Sequence, residues 1–202
     1  MGPVLAWEAE ATSGLGRRRS ASEKGRQMRL FIAAELPQGL IEALAETSAR
    51  LRGSVRGRYV SPDSLHVTLA FLGDVPGSSV GLCSDAVDAA CRDRASFPVA
   101  LGSLGCFGKR TAATLWQGFD DAGALPEIAL AVRDELHVRG LSFDEKKFLA
   151  HVTLMRKADV AGGMLPAPVL ASGPISSITL FASDLSGDRP VYESLHSRTL
   201  RE

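Results

Sequence analysis

His66-Val67-Thr68-Leu69 returns letter for letter as His151-Val152-Thr153-Leu154, 85 residues later (151 − 66). The chain holds only four histidines, and the chance that a given pair shares its next three residues is on the order of one in a thousand at average usage. The repeat therefore reads as a duplication. Both copies lie in apolar runs, Leu65–Leu72 and Leu149–Met155, that read as strands. Side chains alternate faces along a strand, so each copy turns Val and Leu one way and His and Thr the other. If two lobes are related by a pseudo-two-fold axis, two His–Thr pairs meet across a cleft.

The flanking sequence supplies the rest of an α+β fold. Met28–Glu35 reads as a strand, and Pro37 suits the start of a helix carrying Leu40, Ile41, Leu44, Ala45, Ser48 and Leu51 on one face, with Gly53 as its stop. Ser61-Pro62-Asp63 is a turn leading into the first repeat, and Gly73-Asp74 is expected to close that strand. A second helix is predicted over 78–94. A hairpin is predicted from Phe97–Phe107 and Ala113–Phe119, and a third helix from Leu125 to Arg139, ended by Gly140. A Gly/Pro-rich loop follows the second repeat as far as Pro174. Ile175–Leu185 and Val191–Leu200 then form a last strand pair around Gly187-Asp188. Strands that alternate irregularly with helices point to mainly antiparallel sheets, not a doubly wound parallel one.

Composition narrows the function classes. Apolar residues make up 45% of the 202 and charged residues 23%, which is globular and large enough for one core. No apolar run reaches the roughly 20 residues of a membrane helix, and the first residues lack the pattern of a secretory signal. Cys83, Cys91 and Cys106 form neither a disulfide framework nor a Cys-x-x-Cys site, so a reducing, cytoplasmic setting is expected. With 23 basic and 23 acidic residues, the balance argues against a broad basic surface along a long nucleic acid, but not against a small basic cleft for one phosphate. Residues 1–27, with Arg17-Arg18-Arg19 and no apolar period, read as a flexible N-terminal extension. An upstream start ahead of Met28 is preferred to a transit peptide because of Glu8, Glu10 and Glu23. Residues 28–202 are expected to form a single two-lobed domain.

Two opposed imidazoles suit in-line displacement at phosphorus. One neutral histidine takes a proton from an attacking water, and one protonated histidine gives a proton to the leaving oxygen; an ordinary pKa near 6.5 makes both forms available. The Thr68 and Thr153 hydroxyls are placed to hydrogen-bond the non-bridging oxygens. Arg156 lies five residues after His151, on the opposite face of an ideal strand, so it reaches the phosphate only if a bulge or strand end follows Met155.

Met28-Arg-Leu-Phe-Ile-Ala33, Leu65-His-Val-Thr-Leu-Ala-Phe-Leu-Gly73 and His151-Val-Thr-Leu-Met-Arg156 together resemble the two-histidine (2H) phosphoesterase superfamily, in its LigT-like branch of RNA 2′,3′-cyclic phosphodiesterases. The likeness covers roughly 28–200. It implies a duplicated two-lobe fold with sheets flanking a central cleft and helices outside. It also implies no metal and no cofactor, and opening of an RNA 2′,3′-cyclic phosphate to a 2′-phosphomonoester. By the same resemblance His66 and His151 are catalytic, with His66 the acid and His151 the base. Thr68, Thr153 and Arg156 bind the phosphate. Reversible 2′–5′ RNA ligation is a further activity that the resemblance raises. Ala150, where the family often has Pro, and Asp144-Glu-Lys-Lys147 depart from its pattern beside the second motif.

The expected partner is RNA with a cyclic-phosphate end, or a cyclic nucleotide, acted on by a monomer with no membrane and no metal. Open alternatives are a 2H phosphodiesterase for 2′–5′ oligonucleotides or small cyclic nucleotides, and a non-catalytic RNA-end or nucleotide-binding module of the same fold. Phe31 is a candidate for stacking on a nucleobase at the cleft rim, against the plainer reading of a core aromatic. Trp116 is read as core. His137 is read as a helix-end cation and His196 as an ordinary strand residue. Lys109, Arg110, Lys146 and Lys147 are read as solvated turn residues.

Overall fold

The computed structural model describes residues 27–187 and 189–202. The expected extension at 1–27, apart from Gln27, lies outside them. Nine strands and three α-helices occur among these residues in chain order: β1 (Gln27–Ala34), α1 (Gln38–Leu51), β2 (Arg56–Tyr59), β3 (Val67–Pro76), α2 (Val80–Ala90), β4 (Phe97–Phe107), β5 (Ala113–Asp121), α3 (Leu125–Val138), β6 (His151–Asp159), β7 (Ser172–Ile175), β8 (Ser177–Asp184) and β9 (Val191–Thr199). They build two sheets, β3-β1-β8-β9 and β2-β6-β5-β4-β7, and every strand pair within them is antiparallel. This is the expected duplicated α+β architecture, with one repeat in each sheet. Helices α2 and α3 pack on each other and back the first sheet, while α1 packs against β7 of the second.

The alternation around each repeat behaves as the sequence dictates. Val67, Leu69, Val152 and Leu154 are fully buried, and His66, Thr68, His151 and Thr153 are half-buried on the other face. Each of the four aliphatic side chains contributes about 1.5–3 kcal/mol by leaving water, so a one-residue slip of either strand would be strongly opposed.

Several boundaries differ from expectation for local reasons. The strand holding the first repeat does not close at Gly73-Asp74. Gly73 takes φ +71 within a bulge, and pairing with β1 continues to Gln27↔Pro76. The second helix is shorter than 78–94. A 3-10 turn at Gly77–Ser79 precedes it, and Asp93, at φ +60, turns the chain soon after Ala90. Gly140 ends α3 as expected, at φ +69 with the Leu141 amide returning to Leu136. Strands β2 and β7 fall in stretches that show no strand pattern.

Gly105 on β4 faces Trp116 on β5, and the indole lies flat over it: a Cβ at Gly105 would stand 2.2 Å from the ring. An aromatic laid over a strand glycine covers backbone that would otherwise meet water. Gly105→Ala is expected to lower stability by about 1–3 kcal/mol, the cost of forcing extra volume into a packed site. Denaturant unfolding checks this, and an unchanged midpoint would show the indole free to move aside.

Candidate active site

A single pocket brings the repeats together. Val60, Ser64, His66, Thr68, His151, Thr153, Arg156 and Tyr192 line it. His66 and Thr68 come from the first sheet, His151, Thr153 and Arg156 from the second.

Both histidines are held in the same way. His66 Nδ1 lies 2.8 Å from the Ser64 carbonyl and His151 Nδ1 lies 2.7 Å from that of Leu149. In each case the acceptor is the carbonyl two residues earlier, so Nδ1–H donates and Nε2 carries the free lone pair. His66 Nε2 is 3.1 Å from the Thr68 hydroxyl. With His66 neutral, that hydroxyl donates to Nε2.

Arg156 reaches the pocket because β6 carries a bulge. Opposite β5, Trp116 pairs with Thr153 but Leu115 pairs with Met155, so β6 has one extra residue at Leu154. The extra residue reverses the alternation, burying Met155 and turning Arg156 to the cleft. The bulge falls one step before Met155, not after it. The first repeat carries the same feature: Ala33 pairs with Thr68 and Ile32 with Ala70, leaving Leu69 as the extra residue. The duplication thus extends from residue types to backbone irregularity.

Each imidazole is flanked by aromatic rings. Phe31 stands 4.8 Å from His66 between ring centroids and Tyr192 stands 5.4 Å away. Phe107 lies 5.1 Å and Trp116 5.8 Å from His151. Phe31 is only 4% exposed and also packs on Phe181. The structure therefore places it beneath His66, with no open ring face at the rim. Trp116, read as core, is half-buried and lies on the cleft face. Tyr192, Ser64, Val60 and Phe107 were not singled out by sequence reasoning. The repeat gives no signal for them, since they lie outside it.

Burial and charge together favour neutral imidazoles here. Burial pushes His66 down to about 4; the Ser64 carbonyl opposes this, while Arg156 and His151 add to it. His151 is lowered in the same direction, by burial first and by Arg156. No carboxylate lines the pocket, so nothing there offsets these cations. His196 is elsewhere, 2.9 Å from Asp88, and His137 lies in the last turn of α3. Among the described residues no three His, Cys, Asp or Glu side chains gather into a possible metal site. No described helix is long and apolar enough to cross a membrane.

The family model described as LigT like Phosphoesterase matches residues 34–116. An RNA 2′,3′-cyclic phosphodiesterase of Geobacillus stearothermophilus is 36% identical over 129 residues, 63% of this chain but 41% of that longer protein. One of Thermus thermophilus is 29% identical over 181 residues, 86% of this chain and 91% of the relative. The crystal structure of Escherichia coli LigT complexed with 3′-AMP superposes with a TM-score of 0.73 at 27% identity, covering 88% of this chain and 100% of that one. Over residues 34–116 the chain is thus similar to LigT-like phosphoesterases. The two relatives are named for action on RNA 2′,3′-cyclic phosphates, and the solved neighbour holds 3′-AMP.

The depressed histidines give a measurable signature. The unfolded chain takes up protons near pH 6.5 that the folded histidines refuse, so stability is full above that pH and falls as pH drops towards about 4. NMR titration of the empty protein should find both motif imidazoles below 6.5, with His66 the lower. Inorganic phosphate should raise both. Ordinary values, unmoved by phosphate, would contradict the geometry.

Proposed function

We infer that this chain is an RNA 2′,3′-cyclic phosphodiesterase that opens the terminal ring to a 2′-phosphomonoester. The observation that carries this reading is the pair of Nε2 atoms presented to one acid-free pocket, each on an imidazole locked by the carbonyl two residues before it. In the proposed reaction the oxygen of water bonds to phosphorus as the P–O3′ bond breaks. His151 takes the proton from water, and His66 gives one to O3′, leaving a free 3′-hydroxyl. Exchange with solvent restores both histidines.

The asymmetry between the two histidines supports these roles. An anionic phosphate between the imidazoles favours protonation of both. Once protonated, His66, the weaker base, is the stronger acid and the better donor to a departing alkoxide. Thr68 is coupled to that proton. When Nε2 of His66 is protonated it can donate to the Thr68 oxygen, which frees the hydroxyl proton for a non-bridging oxygen of phosphate. Thr153 and Arg156 take the other oxygens, and Arg156 balances the charge that grows there. A reducing cytoplasm fits Cys83 and Cys91, both buried and both pushed up to about 11.

The test is an RNA oligomer ending in a 2′,3′-cyclic phosphate, incubated with the protein in EDTA, with the product identified. Turnover to the 2′-phosphate is expected, and His66→Ala and His151→Ala should each slow it by at least about 10²-fold, the usual scale of proton-transfer groups. Binding without turnover would support a non-catalytic module, and turnover only with added metal would overturn the mechanism.

A further inference from the structure

Four arginines crowd into nine residues, Arg50, Arg52, Arg56 and Arg58, with no acid among them. The structure accounts for three. Arg50 pairs with Glu46, the Arg52 guanidinium lies 4.5 Å from the centre of the Tyr59 ring, and Arg56 stands opposite Asp159 across the β2–β6 pair. Arg58 is different. Its register partner on β6 is Arg156, and both are exposed. Residues directly opposite in an antiparallel pair project from the same face with Cβ atoms about 4.5–5.5 Å apart, and like charges there are destabilising. Neither arginine has an ion-pair or hydrogen-bond partner among the described residues. Two unpartnered guanidiniums held side by side form a site for anions.

The direction of Arg58 follows from the strand. Val60, two residues on, lines the pocket, and so does Arg156. Arg58 therefore shares the cleft face but stands one pair further out. Its position is kept by Gly57: a Cβ there would meet the Ala158 Cα and the Lys157 carbonyl at 2.9 Å, where β6 bulges at Lys157 with φ +53. The close approach holds β2 against β6 just where the two arginines face each other.

We propose that Arg58 binds the phosphodiester one nucleotide upstream of the reacting cyclic phosphate, making an oligonucleotide end a better substrate than a lone cyclic nucleotide. The proposal rests on the phosphodiesterase reading above. Arg156 serves the phosphate between the histidines, and Arg58, outside the pocket on the same face, serves the next one along the strand. The neutral net charge agrees with so short a track.

The test compares kcat/KM for a mononucleoside 2′,3′-cyclic phosphate with that for a short RNA ending in the same group. Wild type, Arg58→Gln and Arg58→Lys are assayed over a range of salt. In Arg58→Gln the ratio of oligonucleotide to mononucleotide kcat/KM should fall about tenfold, mainly through KM, as for one charge-assisted hydrogen bond. The slope of log KM against log salt for the oligonucleotide should drop by about 0.7, one single-strand phosphate contact. Arg58→Lys should restore most of both. An unchanged ratio, whether through equal losses on both substrates or no loss on either, would overturn the proposal while leaving the phosphodiesterase reading intact. A wild type that turned over neither substrate would instead sink that reading, and this one with it.

Discussion

The site depends on one backbone constraint: a single extra residue in each motif strand immediately after the threonine. Before that residue, ordinary alternation sends His and Thr to the cleft and Val and Leu to the core. After it, the faces exchange. In β6 the exchange buries Met155 and brings Arg156 beside His151 and Thr153. In β3 the same exchange pairs Phe71 with Phe31, whose ring packs on His66. Regular strands would have sent Arg156 into the core, where an unpaired guanidinium costs several kcal/mol. A buried aliphatic stripe and an arginine at the fifth position fit one strand only with such a bulge.

Around this frame the pocket is built for protons and one anion. Each imidazole spends Nδ1 on a carbonyl of its own chain, which leaves the Nε2 lone pair for the pocket. Aromatic rings stand beside each one, burial lowers its affinity for a proton, and Arg156 acts on both in the same direction. The pocket lining is therefore short of negative charge, which an anionic phosphate would supply. In the proposed reaction, the ligand that reacts is also the group that brings the acid into its working state.

Much of this was legible in the sequence, because the duplication is written in residue types and alternation is a rule of strands. The two histidines, the two threonines and the antiparallel α+β fold follow from those alone. What escaped lies where other forces decide. Arg56–Tyr59 and Ser172–Ile175 showed no apolar alternation, and both are edge strands of the five-stranded sheet. Charge and proline blunt such edges against aggregation, and the same charge and proline hide them from pattern reading. The bulge is a matter of register between strands far apart in sequence, so the position of Arg156 could be stated only as a condition. Trp116, read as core, lies on the cleft face, and Phe31 takes the plainer of its two readings, for a similar reason. Whether a strand aromatic faces core or cleft depends on which neighbouring strand covers it, and β8 and β9 arrive at Phe31 from the far end of the chain.

The central claim is that the two imidazoles act as one unit on one phosphate. A double-variant cycle of single-turnover rates, comparing His66→Ala, His151→Ala and the two combined, tests it most directly. If they act together, the combined variant should be no more than a few-fold slower than the slower single one, since removing either partner already abolishes the concerted transfer. Losses that simply multiply would mean that the two histidines contribute independently, and the account of a paired acid and base would be wrong.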